Sequence, residues 1–89
     1  MGQLARWTVD IVIDEDDGNT RAHATLRPGS DDPVAGFGLA LCHPADRDVP
    51  AIGAELAAAR ALSDLAHQLI EATINDIEIA TQRRATVTT

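Results

Sequence analysis

The sequence contains no lysine and no tyrosine, and it has only one phenylalanine and one tryptophan. Proteins that hold single-stranded nucleic acid stack its bases on aromatic rings, and this chain has few rings to offer. All seven basic residues are arginine, against fourteen acidic residues, so the formal net charge is −7. Because an acidic chain repels phosphate backbones at long range, we expect no binding to free DNA, and RNA contact requires arginines that cluster on one face.

Cys42 is the only cysteine, so a disulfide within the chain is impossible and a reducing cytoplasm is the expected setting. No apolar run approaches the roughly 20 residues that a membrane-spanning helix needs. The segment from Met1 to Arg6 is too short and too weakly basic to resemble a signal peptide. We therefore expect a cytoplasmic protein that makes no contact with membranes.

The chain of 89 residues has the length of one domain. A domain of this size buries only about 60–65% of its unfolded surface, so its own core is thin. We expect a single domain over residues 1–89, for which stabilisation by a second copy would be unsurprising.

One long amphipathic helix is predicted over residues 50–82. The segment is rich in Ala, Leu, Glu, Gln and Arg, which favour helices, and its apolar residues recur at three- and four-residue steps. The stripe consists of Leu56, Ala59, Leu62, Ala66, Leu69, Thr73, Ile77 and Ala80, widened by Leu65, Ile70 and Ile74. We expect this stripe to pack on a sheet, with Arg60 and Asp64 on the solvent side. Residues 85–89 are expected to form a frayed tail.

Three shorter segments predict strands, over residues 4–14, 20–27 and 34–42. The first two alternate between apolar and polar residues, and the acidic run between them contains Asp17-Gly18, which is typical of a tight hairpin. The third segment, VAGFGLALC, is apolar on both sides, so we expect both of its faces to be covered. The predicted fold class is α+β, a three-stranded antiparallel meander packed on one long C-terminal helix in the order β-β-β-α.

The predicted helix is longer than the predicted sheet. Thirty-odd helical residues reach roughly 45–50 Å, whereas strands of eight to ten residues span only about 26–34 Å. Either the helix breaks near Asn75-Asp76 and folds back, or its apolar end packs on a second chain, which favours a homodimer, with or without exchanged elements. The glycines of the third strand would let another backbone approach closely. The residues predicted at the dimer interface are Gly36, Gly38, Thr73, Ile74 and Ile77.

A candidate binding face lies on the second strand, where Arg21, His23 and Arg27 alternate with apolar residues and so share one side. Arg47, in the connection to the helix, is a candidate to join them. Asp10 on the neighbouring strand is predicted on the same side. The two interpretations are therefore a solvated, salt-bridged surface and a site that contacts an anion or RNA.

No catalytic or metal-binding pattern is present in the sequence. The three histidines have no spacing typical of metal ligands. Cys42 and His43 are neighbours on a predicted strand, where their side chains point to opposite faces. The sequence contains neither a P-loop nor a nucleophile elbow. We therefore expect no enzyme, no cofactor, no metal and no small-molecule substrate.

The sequence HPADRDVPAIGAELAAARALSDLAHQLI, followed by NDIE, resembles a family of small actinobacterial proteins of unknown function. The strands RWTVDIVIDEDDGNTRAHATLR and GFGLAL resemble the same family, so the likeness covers most of the chain. His43 departs from the asparagine expected before the proline, and Ala54 from the acidic residue that is usual there. The resemblance implies a fold similar to the double-stranded-RNA-binding domain without its first helix. It also implies a link to the hypoxia and dormancy response of mycobacteria, where some relatives are likened to ribosome hibernation factors that act as dimers.

Two functions from different classes follow. The first is a non-enzymatic stress or dormancy protein that binds a macromolecule through Arg21, His23 and Arg27, with the ribosome as candidate partner and reduced translation as the outcome. The alternative is a dimeric protein–protein interaction module that binds no nucleic acid. In that alternative, the acidic loop from Asp14 to Asp17 attracts a basic protein partner.

Overall fold

The computed structural model describes residues 2–28, 33–41 and 50–88, with side chains of the last segment described from 51 to 81. It contains three strands and one helix, β1 (Thr8–Asp16), β2 (Asn19–Arg27), β3 (Ala35–Leu41) and α1 (Pro50–Thr88). The strands form one sheet in the order β1-β2-β3, and both pairs are antiparallel. The helix packs on one face of this sheet. The predicted α+β architecture, β-β-β-α, is confirmed.

The hairpin between β1 and β2 extends further into the acidic run than predicted. Thr8 pairs with Arg27 at one end of the ladder, and Asp16 pairs with Asn19 at the other. The connection is the two-residue turn Asp17-Gly18, in which both residues have positive φ angles of 52° and 79°. These angles match the twist of the flanking strands, and Asp-Gly adopts them readily. β1 begins at Thr8, four residues after the predicted start at residue 4. The strand cannot begin earlier because β2 ends at Arg27 and offers no pairing partner to the residues before Thr8.

The core is built from small side chains. Ala22, Ala24 and Ala40 of the sheet are buried against three residues of α1, which are Ala57, Ala61 and Leu65. These helical residues are spaced four apart and face the sheet together. The prediction that the stripe through Leu56, Ala59, Leu62 and Ala66 packs on the sheet is therefore wrong, since all four residues are exposed.

Gly36 and Gly38 explain why the small-residue side of α1 faces the sheet. A Cβ atom at either position would lie closer than 3.0 Å to backbone atoms of the helix, at Ala57, Ala61 or Leu65. The backbone that approaches these glycines is thus the chain's own helix. This corrects the prediction that Gly36 and Gly38 lie at a dimer interface, because both are buried beneath α1.

The helix covers β2 and β3 but leaves much of β1 open. Val9, Ile11 and Ile13 point to the same side of the sheet as the buried Ala22 and Ala24, yet they remain exposed. We call these three residues the β1 shelf. The shelf is open because the close contacts with Gly36 and Gly38 place the helix axis over the opposite edge of the sheet.

The helix extends well past the end of the sheet. Its 39 residues span roughly 58 Å, whereas the nine-residue strands span about 30 Å, and the molecule measures 64 Å along its longest axis. α1 is continuous through Asn75-Asp76, so the predicted alternative of a break there is wrong. Within the described part of the chain, no helix combines the length and the apolar character that a membrane crossing requires.

Candidate functional site

The sheet face opposite α1, here called the outer face, gathers most of the predicted binding residues. It comprises the positions that alternate with the buried ones on β2 and β3, together with their partners on β1. Its members are Thr8, Asp10, Val12, Asp14, Asp16, Asn19, Arg21, His23, Thr25, Arg27, Ala35, Phe37, Leu39 and Leu41. The structure thus places Arg21, His23 and Arg27 on one face, while Arg47 lies outside the described residues.

A flat aromatic platform lies at the centre of the outer face. His23 is opposite Phe37 across the β2–β3 ladder, and their rings stack with centroids 4.4 Å apart and planes inclined by 7°. Val12 continues the row on the other side of His23. Because each ring restricts the other, the platform is a preformed contact surface.

The β3 side of the outer face is apolar and open. Phe37 is 66% exposed and Leu41 65%, with Leu39 between them 45% exposed. Arg21, Phe37 and Leu39 line a shallow depression of about 280 Å³. Both faces of β3 were expected to be covered. Among the described residues, α1 covers one face, and the other face is exposed.

The β1 side of the outer face is acidic. Asp10, Asp14 and Asp16 lie on the same side of the strand, with Val12 between the first two, and all three aspartates are exposed. The Nε of Arg27 donates to Oδ2 of Asp10 at 2.8 Å, an exposed pair of the kind that contributes roughly 0–1 kcal/mol. Arg21 lies opposite Asp14 in the ladder, although no ion pair of Arg21 is recorded among the described residues. The outer face is thus acidic on β1, carries Arg21 and Arg27 on β2, and is apolar on β3.

Two helix side chains cap the free edge of β3. The backbone N–H of Phe37 donates to Oδ2 of Asp64 at 2.9 Å, and Nη1 of Arg60 donates to the backbone oxygen of Leu39 at 2.6 Å. Both residues were predicted on the solvent side of the helix. The signal available in the sequence was a pair of opposite charges four residues apart on a predicted helix, and such a pair does not by itself indicate contact with a sheet edge. Capping of this kind shields backbone groups that would otherwise pair with another strand.

A second unpartnered surface follows α1. At 100° per residue, Ile70 and Ile77 lie about 180° and 160° around the helix from Ala61, which faces the sheet. We call the residues on this side the exposed stripe, and they are Ile52, Leu56, Ile70, Ile74 and Ile77, between 42% and 61% exposed.

The predicted interface residue Thr73 is also exposed. Its hydroxyl donates to the backbone oxygen of Leu69 at 2.9 Å, so its methyl group is left for outside contact.

Metal-binding potential is low in the part of the chain that the structure describes. Across residues 2–28, 33–41 and 50–81, no three side chains of His, Cys, Asp or Glu form a group that could hold an ion. His67 lies 4.0 Å from Glu71, one turn away, and both side chains are largely exposed.

Comparison with known proteins gives consistent matches over nearly the whole chain. Residues 5–86 match the model of the Rv2632c-like family. The uncharacterized protein Mb1767 of Mycobacterium bovis is 51% identical over 82 residues, which cover 92% of this chain and 86% of that protein. The uncharacterized protein Rv2632c of Mycobacterium tuberculosis is 50% identical over 78 residues, which cover 88% of this chain and 83% of that protein.

A crystal structure of Rv2632c superimposes on this fold with a TM-score of 0.80 and 46% sequence identity. The match covers 90% of this chain and 94% of the other. The predicted membership in a family of unknown function with mycobacterial relatives is confirmed. The likeness to double-stranded-RNA-binding domains and to hibernation factors stays a prediction.

Proposed function

Because this chain belongs to the Rv2632c-like family, whose relatives above are named uncharacterized, we propose its function from its own surfaces. The protein is a non-enzymatic module that binds another macromolecule through the outer face of its sheet. The observation that carries this proposal is the exposed apolar strip of Phe37, Leu39 and Leu41 beside the stacked His23 ring. Exposed apolar patches with a polar border are typical of macromolecular interaction sites.

The shape of the outer face supports binding over catalysis. Active sites are usually concave and enclose much of their substrate, whereas the depression beside Arg21 and Leu39 is shallow and opens to solvent. A flat sheet face with a rigid aromatic centre suits a large partner, because it offers contact area without enclosing a small molecule.

The charge of the outer face supports a protein partner over RNA. Arg27 is already paired with Asp10, and Asp14 lies opposite Arg21. Arg60 is bound to the edge of β3 rather than directed to the outer face. The resemblance to hibernation factors implies a ribosomal target. Binding to the ribosome through the outer face would require Arg21 and Arg27 to outweigh the aspartates of the same face.

The proposal includes a homodimer formed through the exposed stripe of α1. The stripe runs from Ile52 to Ile77, roughly 38 Å. Its large side chains form two groups, Ile52 with Leu56 and Ile70 with Ile74 and Ile77, and the spacing of four and three residues within each group is typical of helices that pack on one another. A two-fold axis would bring the same surface of two copies together. The β1 shelf offers further apolar surface to the second copy.

The outer-face proposal is tested by co-purification from stationary or oxygen-starved cells, with and without nuclease. The baits are the wild-type chain, an outer-face variant Phe37→Ala/Leu39→Ser, and a control variant Leu62→Ser, which changes an exposed leucine of the helix outside the exposed stripe. We expect a partner that is retained by the wild type and the control, and is lost with the outer-face variant. Retention of the same set of proteins by all three baits would contradict the proposal.

The nuclease arm distinguishes the two kinds of partner. A partner that survives nuclease contacts the chain as protein. Co-sedimentation with ribosomes that rises as salt falls, and disappears in Arg21→Ala/Arg27→Ala, would instead establish the ribosomal form.

A further inference from the structure

The outer face combines exposed carboxylates on β1 with exposed apolar side chains on β3, and Arg27 on the strand between them is paired with Asp10. Asp14 and Asp16 are exposed on β1, and Phe37, Leu39 and Leu41 are exposed on β3. Resting on the proposed function of this face, we infer that its partner docks as a basic amphipathic helix. The apolar side of that helix lies on β3, and its lysines or arginines lie over β1.

The width of the sheet sets the size of this partner. Neighbouring strands are about 4.8 Å apart, so the axes of β1 and β3 are separated by about 10 Å. A helix with its side chains is about 10–12 Å wide, so a single helix can contact both outer strands at once. On the inner face, by contrast, α1 packs mainly across β2 and β3, because the close contacts with Gly36 and Gly38 hold it over that edge of the sheet.

The free edge of β3 is less suitable for a partner. Addition of a strand there requires the N–H of Phe37 and the carbonyl of Leu39, and these groups are bound to Asp64 and Arg60. A strand added at β1 would be separated from Leu39 by two intervening strands and would leave the apolar strip uncovered. Docking on the face covers that strip without breaking either bond to the helix.

Charge complementarity favours a basic partner over a second copy of this chain. The protein carries a net charge of −7, and α1 presents Glu55, Glu71 and Glu78 among its exposed side chains. An acidic helix placed over Asp14 and Asp16 would repel them. A basic helix would be attracted to the same carboxylates, which raises both its association rate and its specificity.

The inference is tested with three fluorescent peptides of 18 residues, added to the full chain. One has leucine and lysine at amphipathic-helix spacing, the second has glutamate in place of lysine, and the third has leucine and lysine in strict alternation. Anisotropy should show binding of the basic helical peptide only, weakened roughly tenfold between about 50 mM and about 300 mM NaCl. Amide shifts should map to β1 and β3.

Matched variants locate the contact. Asp14→Asn/Asp16→Asn and Asp76→Asn/Glu78→Gln each remove two negative charges, the first pair from the outer face and the second from the far end of α1. We expect the first variant to weaken binding roughly five- to tenfold and the second to change it less than twofold. Equal weakening by both would overturn the inference, because binding would then follow net charge alone.

The remaining outcomes separate this inference from the proposed function. If the acidic or the alternating peptide binds as tightly, or if no peptide binds, the basic helical partner is excluded. The outer face is still a docking surface if Phe37→Ala/Leu39→Ser loses its cellular partner. If that variant retains every cellular partner, both the inference and the proposed function fail.

Discussion

The two faces of the sheet use apolar residues in opposite ways. The inner face buries small residues, among them Ala22, Ala24 and Gly38, directly beneath the backbone of α1. The outer face carries large side chains such as Phe37 and Leu41, and leaves most of their surface exposed. The inner face therefore gains stability from close backbone approach rather than from the area of large side chains. The large apolar side chains are left for contact with other molecules.

The same contrast distinguishes the two sides of α1. The side that faces the sheet is a seam of Ala57, Ala61 and Leu65, whereas the opposite side carries the isoleucines of the exposed stripe. This chain packs its helix on the sheet mainly through small residues, and it leaves the apolar strip of the outer face, the exposed stripe and the β1 shelf exposed.

The largest expected effect comes from adding a methyl group to the inner face. Gly38→Ala places a Cβ against backbone atoms of Ala57 and Ala61, so the helix must shift. Overpacking of this kind should lower the free energy of unfolding by about 3 kcal/mol, measured by urea denaturation at fixed protein concentration. Gly2→Ala is the control, because nothing lies within 4 Å of that position. An increase in stability with Gly38→Ala, as expected for an unstrained glycine, would show that the backbones are not in contact.

The second effect concerns self-association through the exposed stripe. Ile77→Asp should weaken dimer formation by about 2 kcal/mol or more, because a carboxylate would be buried in an apolar contact. Ile79→Asp makes the same change about 160° around the helix from Ile77, outside the exposed stripe, so it should weaken the dimer much less. Analytical ultracentrifugation over a concentration series measures both variants. Equal effects would remove the exposed stripe from the interface.

The third effect tests the capped edge of β3. Asp64→Ala removes the acceptor for the N–H of Phe37 and should cost about 1 kcal/mol of stability, with faster hydrogen exchange at that amide. Glu71→Ala, on the same helix, removes an exposed side chain whose one ion-pair contact among the described residues is with His67 at 4.0 Å, and it should change stability by less than about 0.5 kcal/mol. Unchanged exchange at Phe37 would mean that the aspartate does not hold the edge.

The smallest effect belongs to the ion pair on the outer face. A double-mutant cycle with Asp10→Asn and Arg27→Gln should give a coupling of a few tenths of a kcal/mol that vanishes near 1 M salt. A coupling above about 1 kcal/mol would indicate a more rigid and less solvated pair, and would make this end of the outer face a structural element rather than part of a docking surface.

The local features of the fold could be predicted from the sequence because each depends on a short pattern. The alternation in β1 and β2 placed Arg21, His23 and Arg27 on one face, and Asp17-Gly18 indicated the hairpin. These features follow from backbone geometry over a few residues.

The packing of α1 could not be predicted, because it depends on which segment of backbone approaches the glycines of β3. The sequence indicates that Gly36 and Gly38 admit a close neighbour, but it does not say whether that neighbour is the chain's own helix or a second chain. Once the helix is the neighbour, only a small-residue seam fits against the glycines. The larger stripe through Leu56 and Ile70 is then turned outward, although hydrophobicity alone favours its burial.

Sedimentation equilibrium of the wild-type chain tests the central claim most directly, namely that the large apolar side chains left outside the fold are covered by another molecule. With no other component present, the available molecule is a second copy, so the expected mass at micromolar concentration is twice 9.4 kDa. A single species of 9.4 kDa at every concentration would contradict the claim for the exposed stripe.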